Sequence, residues 1–339
     1  MRVLIVRLSA MGDIIHSLPL AENARRAGVE VGWLIESAYA GLLEGNPSVA
    51  RVFSASTKRW RRQPFRAESV RAIRALAQDL REFAPDIAVD AQGLWKSALL
   101  AGLVKAPLVG FAGRDRRESS SGALIDRPVR ITKEAVHVVD QNLLLLGPLG
   151  IPAVTRAPNA RYLLTRPRPE AEAFLKGRRD PFAIYHPGSA RAKKTWGEEQ
   201  FAELARRLGK ERGLSSVISW GPGDESRAER LASFLPESAS LPPLDLPGLA
   251  HVIERCTIFI AGDTGPVHMA DALGKPALAL FGPRAGPRNV PRRNRPYHGW
   301  FVRVDEEGGV ESVLEQAKKI LDGRTGIVST TGWERNEGS

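Results

Sequence analysis

The chain begins with Arg2-Val-Leu-Ile-Val-Arg-Leu8, a short apolar run rich in β-branched residues, which predicts a buried strand. The small-residue turn Ser9-Ala-Met-Gly-Asp13 follows, and a helical pattern then runs through Ile14, Leu18 and Ala21. A strand, a short turn and a helix form the repeating unit of folds in which helices cover a parallel sheet. This opening therefore favours the α/β fold class.

The same alternation continues along the chain, is interrupted once and then restarts. In the first half we predict strands at 29–35, 86–89 and 108–111, and helices at 69–83 and 136–149. In the second half we predict strands at 182–185, 216–220, 258–261 and 277–281, and helices at 198–211, 226–234 and 310–321. Residues 150–169 between the halves contain four prolines and little periodicity, which is typical of a linker. We therefore predict two doubly wound domains, with these bounds: a first domain at 1–155, a linker at 156–170, a second domain at 171–322 and a loose tail at 323–339.

The composition indicates a globular protein of the reducing cytoplasm. Of the 339 residues, 43% are hydrophobic and 26% are charged, which excludes a disordered or fibrous chain. No apolar run approaches the roughly 18 residues that span a bilayer, and the first apolar run is too short for a signal peptide. The single cysteine, Cys256, excludes an internal disulfide and cysteine-rich metal sites.

The positive charge is concentrated in two windows of the first half. Residues 51–74 contain eight Lys and Arg against one acid, and residues 105–133 contain seven against three, which together equal the net charge of +11. A further stretch, 284–303, has six arginines and no acid. Such patches indicate an anionic partner, either phosphate or acidic lipid, or else a merely solvated surface. Nucleic acid is disfavoured because no nucleic-acid-binding motif accompanies the charge.

Three loops that follow predicted strands carry the residues suited to chemistry: 9–13, 186–196 and 262–268. In the third, Gly262-Asp-Thr-Gly-Pro-Val-His268, the N–H groups that open the helix can bind a diphosphate, although Asp263 or Thr264 can equally be a simple helix cap. In the second, small residues precede the three cations Arg191, Lys193 and Lys194, which suits phosphate recognition or else forms a solvated basic loop. A fourth loop places Asp224 and Glu225 at a helix start, where an acid can bind ribose hydroxyls or only complement the helix dipole.

Common catalytic signatures are absent from the sequence. There is no Walker A, G-x-G-x-x-G, H-E-x-x-H or G-x-S-x-G motif. There is also no Asp-x-Asp pair to hold a divalent ion on a nucleotide sugar. The charge of an anionic leaving group would then be neutralised by Lys, Arg and helix N-termini. These features favour metal-independent group transfer from a nucleotide diphosphate. Asp13, which follows Gly12 in the first of the three loops, can be a general base or simply a helix N-cap.

Five segments resemble the ADP-heptose:lipopolysaccharide heptosyltransferases, glycosyltransferase family nine. They are Ser9–His16, Lys58–Arg62, Asp90–Ser97, Lys194–Trp196 and Gly262–His268. The second and third of these most resemble the heptosyltransferase I branch, and the resemblance covers about residues 1–322. It implies a GT-B fold, in which two Rossmann-like domains face each other across a cleft.

The resemblance implies an inverting transfer of L-glycero-D-manno-heptose from ADP-heptose to the inner Kdo of Kdo-lipid A. It implies neither a cofactor nor a metal. The implied catalytic residues are Asp13 as general base and Lys194, which neutralises the leaving group. The implied donor-binding residues are Ser189, Lys194, Glu225, Asp263, Thr264, Gly265 and His268. The implied acceptor-binding residues are Arg59, Arg61, Arg62, Gln92, Lys96 and Arg117.

Three alternatives remain open from the sequence. The first is heptosyltransferase II or a later core heptosyltransferase of the same family. The second, from a different class, is a nucleotide-sugar 2-epimerase on the same fold. The third is a non-catalytic protein that binds anionic membranes, although this would not explain glycine-rich loops after strands in both halves. For the enzyme, we expect peripheral attachment to the cytoplasmic face of the inner membrane, because basic surfaces attract anionic lipid.

Overall fold

Two parallel sheets organise the part of the chain that this computed structural model describes, namely residues 1–188, 196–281, 288, 300–303 and 309–323, with backbone alone at 300–303. Each sheet belongs to a separate compact unit. Unit 1 contains residues 1–176 together with the later segments 242–254 and Arg288. Unit 2 contains the remaining described residues from 177 onward. The domain boundaries drawn from the sequence stay a prediction.

Unit 1 is built on a sheet with the strand order β3-β2-β1-β4-β5-β6, in which all neighbours are parallel. Its strands are β1 (Arg2–Val6), β2 (Glu30–Glu36), β3 (Arg51–Ala55), β4 (Ile87–Asp90), β5 (Leu108–Phe111) and β6 (Arg127–Val129). Its helices are α1 (Met11–Ile15), α2 (Leu18–Arg26), α3 (Thr57–Arg62), α4 (Ala67–Phe83), α5 (Trp95–Ala101), α6 (Val138–Leu144), α7 (Pro169–Leu175) and α10 (Leu246–Arg255). Short 3₁₀ turns lie at Ser37–Leu43, Gly113–Asp115, Ser119–Leu124, Gly147–Leu149 and Arg161–Leu164.

Unit 2 repeats this topology with the strand order β12-β11-β10-β7-β8-β9. Its strands are β7 (Phe182–His186), β8 (Ser215–Ile218), β9 (Ala239–Ser240), β10 (Ile258–Gly262), β11 (Ala277–Phe281) and β12 (Trp300–Arg303). Its helices are α8 (Glu198–Arg212), α9 (Glu225–Phe234), α11 (Gly265–Leu273) and α12 (Val310–Leu321). Numbered within each unit, both orders are 3-2-1-4-5-6, so the predicted pair of doubly wound, Rossmann-like domains is confirmed.

The strand order decides where ligands can bind. In each unit the order reverses between two central strands, which are β1 and β4 in unit 1 and β7 and β10 in unit 2. The register pairs Val6 with Asp90 in the first sheet and His186 with Ala261 in the second, so the carboxyl ends of these strands are level. Loops that leave neighbouring strands in opposite directions open a crevice at that point. The predicted loops 9–13 and 262–268 start there.

The buried core follows directly from the apolar runs. Strands β1, β4, β7 and β10 are buried along nearly their whole length, as expected for strands covered by helices on both faces. The largest fully buried side chains include Trp33, whose indole N–H donates to the Arg7 carbonyl at 3.2 Å. In the described residues, no helix is both long and apolar enough to cross a bilayer.

Some elements differ from the sequence-based expectation. Strands β3 and β6 were not predicted, because β3 is half exposed and β6 contains Pro128, both features of edge strands. Helix α10 was missed because Pro247 and Gly248 interrupt its apolar pattern near the start. The predicted helix 136–149 is instead α6 followed by the Gly147–Leu149 turn, since Pro148 cannot donate a helical hydrogen bond. Strand β12 was also missed. The predicted tail lies outside the described residues beyond 323.

Candidate active site

Asp13 lies at the point where the strand order of unit 1 reverses. It occupies the third position of α1, and four residues separate the end of β1 from the start of α1. One carboxylate oxygen, Oδ1, is 2.8 Å from Nη2 of Arg7, and the other accepts the backbone N–H of Ala10 at 3.3 Å. The Arg7 side chain is 6% exposed, whereas that of Asp13 is 27% exposed. A buried cation therefore fixes the position of the Asp13 carboxylate, which remains partly accessible to solvent, as a general base must be.

Gln92, a predicted acceptor residue, supports the same loop. Its Oε1 accepts the backbone N–H groups of Leu8 and Ser9, at 2.9 and 3.0 Å. The guanidinium of Arg7 additionally donates to the carbonyl of Ala91. Ala91 and Gln92, which follow β4, therefore hold residues 7–9, which follow β1. The side-chain carbonyl oxygen of Gln92 is occupied by these internal hydrogen bonds, so Gln92 positions the loop in the described structure.

A buried ion pair fixes the segment after β4, and sequence reasoning missed it. Asp90 Oδ2 lies 2.5 Å from Nη2 of Arg116, and both side chains are 0% exposed. Asp90 Oδ1 accepts the N–H groups of Gln92 and Gly93, at 3.0 and 3.2 Å. Arg116 also donates through Nε to the hydroxyl of Ser121 at 2.7 Å. The only available signal was an aspartate ending an apolar strand, because Arg116 looked like one more surface cation.

The predicted acceptor arginines of α3 are exposed. Arg59, Arg61 and Arg62 lie on α3, at the carboxyl end of β3, and two of them line an open cavity of about 510 Å³ together with Lys58, Gln63 and Arg66. Arg59 forms an ion pair with Glu68. Lys96 is half-buried on α5. These side chains present positive charge to solvent at the same end of the sheet as Asp13, but no contact joins them to it.

Arg288 brings further positive charge near Asp13, and Arg117 lies near Arg288. Arg117 is exposed. Arg288, from the arginine-rich stretch, donates through Nε to Oε1 of Gln141 at 2.9 Å. Partial burial lowers the pKa of the Arg288 guanidinium, Asp13 counters that shift, and Arg7 and Arg117 lower the pKa further. Arg288 was not among the predicted site residues, although its stretch was recognised as basic.

In unit 2, Thr264 and Gly265 begin helix α11, just after β10. Thr264 is the N-cap of α11, yet its side chain makes no capping hydrogen bond. Its Oγ1 is buried and has no hydrogen-bond partner among the described residues. The N–H groups that begin α11 and this hydroxyl are suited to phosphate oxygens. The simple-cap interpretation of Thr264 is therefore disfavoured.

Asp263 and His268 flank that helix start differently. The Asp263 side chain is 57% exposed, and its Oδ1 lies 3.9 Å from Nε2 of His268. His268 is buried at 5% exposure on the first turns of α11. The Asp263 carboxylate is therefore accessible to a polar ligand, whereas the His268 side chain is buried close to Asp263.

Asp224 and Glu225 have clearly different surroundings. Asp224 is the N-cap of α9 and packs against the loop after β7, where a Cβ added to Gly188 would lie 2.2 Å from Oδ2 of Asp224. Partial burial raises the pKa of Asp224, Arg227 opposes the shift and Glu225 reinforces it. Glu225 is exposed, and Gly223 donates its N–H to Oε2 at 2.8 Å. Glu225 is thus the more accessible carboxylate for ribose hydroxyls.

His186 ends β7 as a neutral structural residue. Its Nδ1 lies 2.9 Å from the hydroxyl of Ser219, and its ring stacks on Phe259 with 6.3 Å between centroids. Burial, with a further contribution from Arg227, lowers the pKa of His186 to about 4. Two predicted donor residues, Ser189 and Lys194, lie outside the described residues. Among the described residues no cluster of three or more His, Cys, Asp or Glu side chains could hold a metal ion.

Known proteins are similar to this chain in both sequence and fold. Residues 73–298 match the model of glycosyltransferase family 9 (heptosyltransferase). Lipopolysaccharide heptosyltransferase 1 of Pseudomonas aeruginosa is 36% identical over 289 residues, covering 84% of this chain and 79% of the relative. Its Escherichia coli K12 counterpart is 30% identical, covering 84% and 88%. The structure titled E. coli heptosyltransferase WaaC with ADP superposes with a TM-score of 0.80 at 27% identity, covering 94% of this chain and 100% of that one.

These similarities confirm the resemblance that the motifs indicated, and with it the GT-B class of two Rossmann-like domains. The family match spans well over half of the chain and includes the loops that carry Thr264 and Glu225. The chain belongs to glycosyltransferase family 9, the heptosyltransferase family.

Proposed function

We propose that this protein is an inverting glycosyltransferase that moves L-glycero-D-manno-heptose from ADP-heptose to the inner Kdo of Kdo-lipid A, in lipopolysaccharide inner-core biosynthesis. The observation that carries the proposal is the carboxylate of Asp13, held 2.8 Å from the buried Arg7 and still accessible at the carboxyl end of the sheet. The relatives described above carry the name heptosyltransferase 1. For that reason heptosyltransferase II, a later core enzyme and a 2-epimerase are not favoured.

The donor is ADP-heptose. The E. coli heptosyltransferase WaaC has been solved with ADP and with ADP-2-deoxy-2-fluoro heptose. In this chain the helix start at Gly265 suits a diphosphate, as does the Thr264 hydroxyl, which bonds to no group in the part of the chain that the structure describes. The exposed Glu225 suits ribose hydroxyls. Asp263 and His268 lie beside the same loop and are assigned to the donor sugar. Ser189 and Lys194 complete the proposed donor set.

The acceptor is an anionic glycolipid. Kdo carries a carboxylate and lipid A carries phosphates, and planar guanidinium groups bind both kinds of group well. The exposed Arg59, Arg61, Arg62 and Arg117 are therefore assigned to the acceptor, with Lys96 beside them. Gln92 contributes by holding the loop that carries Asp13. The same basic surface would keep the enzyme on the cytoplasmic face of the anionic inner membrane.

The reaction is a single displacement without a metal ion or other cofactor. Asp13 accepts the proton of the acceptor hydroxyl while that oxygen bonds to the anomeric carbon of the heptose. The bond from the anomeric carbon to the phosphate oxygen breaks on the opposite face, which inverts the anomeric centre, and ADP leaves with the bonding electron pair. The N–H groups of α11, the Thr264 hydroxyl and Lys194 neutralise the charge that develops on the diphosphate, so they stabilise the transition state more than the ground state.

Release of ADP from ADP-heptose, with and without Kdo-lipid A and in the presence of EDTA, tests the proposal. We expect release that depends on the acceptor and survives EDTA. Asp13→Ala should abolish turnover, a loss of at least about 10²-fold, while ADP binding changes little. Asp79→Ala is the matched control, because Asp79 is an exposed carboxylate of the same unit that pairs with Arg51 on the surface. Acceptor-independent release or wild-type turnover by the Asp13 variant would contradict the mechanism.

A further inference from the structure

Phe65 is an unusually exposed aromatic residue. It lies in the short connection between α3 and α4, and 96% of its surface is accessible. Single exposed apolar residues are common on protein surfaces and by themselves need no explanation. Phe65, however, lies inside the most basic window of the chain, among the cations that line the cavity beside α3.

Two more exposed apolar side chains lie on α5. Trp95 is 40% exposed and Leu99 is 59% exposed, and their spacing of four residues places both on one face of that helix. Helices α3 and α5 follow β3 and β4, so both begin at the same end of the parallel sheet. Trp60 on α3 and Leu100 on α5 pack against one hydrophobic cluster, which places both helices on the same face of the sheet.

The cations around Phe65 are largely free to contact an external anion. In the described part of this window, ion pairs involve Arg51 and Arg59, whereas none involves Lys58 or Arg66. Guanidinium and ammonium groups beside exposed aromatic rings are the composition of surfaces that lie in a membrane interface. The cations contact lipid phosphates while the rings enter the boundary between headgroups and acyl chains.

We propose that Phe65, Trp95 and Leu99 insert into an anionic lipid bilayer, while Lys58 and Arg66 contact its phosphates. The inference deepens the proposed function and rests on it, since an acceptor with acyl chains is itself held in a bilayer. Insertion at the carboxyl end of the sheet would hold that end, and therefore Asp13, against the membrane surface from which the acceptor sugar projects. The occupant of this surface is the lipid bilayer, distinct from the acceptor sugar bound by the arginines of α3.

Binding to vesicles is the first test. Wild-type protein should bind vesicles of phosphatidylethanolamine with phosphatidylglycerol and bind phosphatidylcholine vesicles much more weakly. Phe65→Ser should lower the affinity for the anionic vesicles by about tenfold, because one aromatic side chain no longer leaves water. Val154→Ser is the matched control and should change affinity less than twofold, since Val154 is 69% exposed in the same unit but lies far along the chain from the basic window. Equal affinity of the Phe65 variant and the wild type would overturn the proposal.

A depth measurement gives an independent readout. The sole cysteine, Cys256, is buried, so the variants Phe65→Cys and Val154→Cys can each be labelled at one exposed position with an environment-sensitive dye. Anionic vesicles should shift the emission of the dye at position 65 to the blue, and spin-labelled lipids should quench it. The dye at position 154 should respond to neither. A dye at position 65 that stays in a water-like environment on bound vesicles would also overturn the proposal.

Activity with two forms of acceptor separates the proposal from the function on which it rests. Phe65→Ser should release ADP at close to the wild-type rate with a Kdo acceptor stripped of its acyl chains. It should lose activity when Kdo-lipid A is presented in vesicles. Equal loss with both acceptors would place Phe65 against the sugar and refute bilayer insertion. If wild-type protein released ADP with neither acceptor, the proposed function would fail, and the vesicle and depth measurements would still decide the membrane contact.

Discussion

Replacing Arg116 by Met should destabilise unit 1 strongly, although Arg116 touches no proposed substrate. The substitution removes the guanidinium that lies 2.5 Å from Asp90 and leaves that carboxylate in a site with 0% exposure. Asp90 would retain the N–H groups of Gln92 and Gly93, but these dipoles do not balance a full charge. Removing one partner of a buried ion pair costs about 3 to 5 kcal/mol, because the remaining charge is then uncompensated.

For a unit of this size, a loss of that magnitude lowers the melting temperature by on the order of 10 °C. The loop that carries Asp13 should also loosen, because Gln92 holds it and Asp90 in turn holds Gln92. We therefore expect ADP release to fall even at temperatures where the variant is folded. The double variant Arg116→Met with Asp90→Asn should recover much of the stability, since the amide carbonyl can still accept both N–H groups.

Thermal and urea unfolding, followed by tryptophan fluorescence and circular dichroism, measure the effect. Arg26→Met is the control, because Arg26 pairs with Glu22 on the surface, where a single ion pair contributes at most about 1 kcal/mol. If the melting temperature of the Arg116→Met variant is as close to that of wild type as the melting temperature of the Arg26→Met variant is, the buried pair does not stabilise the unit as argued. A double variant less stable than Arg116→Met alone would be equally incompatible with it.

Three further outcomes are expected. Arg7→Met should lower kcat by about tenfold with little change in ADP binding, because the Asp13 carboxylate loses the guanidinium that lies 2.8 Å away and fixes its position. Arg7→Lys should restore part of the rate. Thr264→Val should leave the thermal stability of the ligand-free protein unchanged or slightly higher, because the buried hydroxyl has no partner among the described residues. The same substitution should weaken ADP binding, measured by calorimetry, by about tenfold. His186 has a folded-state pKa of about 4 against an ordinary 6.5, so the unfolded chain binds its proton first and wild-type stability should fall as the pH drops from 6.5 toward 4. Denaturant titrations at both pH values should show His186→Asn losing about 3 kcal/mol less than wild type over that interval.

The sequence predicted the central strands well because strands covered on both faces are continuous apolar runs. Residues 108–111 and 277–281 coincide with β5 and β11, and the helix at 310–321 coincides with α12. Edge elements escaped prediction, since the half-exposed β3 and the proline-containing β6 carry no such run. The burial of β3 and β6 depends on pairing with β2 and β5 and on other contacts with residues distant in the chain.

The candidate site was predictable where local motifs carry the chemistry. Asp13 and Thr264 were recognised from loops that join a strand to a helix, and the structure places both at points where the strand order reverses. The pairing of Asp90 with Arg116 could not be predicted, because it joins residues 26 positions apart and buries two charges that composition places on the surface. The accessibility of Glu225 relative to Asp224 likewise depends on how Gly188 packs.

The return of α10 to unit 1 has a consequence for how the protein is made. A Cβ added to Gly41 would lie 3.3 Å from Cδ of Pro247, so α10 begins close to Gly41. Arg161 pairs with Glu254, and Arg168 pairs with Asp245. A ribosome therefore releases β7, β8 and β9 of unit 2 before it releases the last helix that unit 1 requires. The first unit completes its packing only after part of the second has emerged, so the two cannot fold strictly one after the other during synthesis. A chain cut after residue 176 would lack α10, and a separately expressed second half would have to supply that helix to the first.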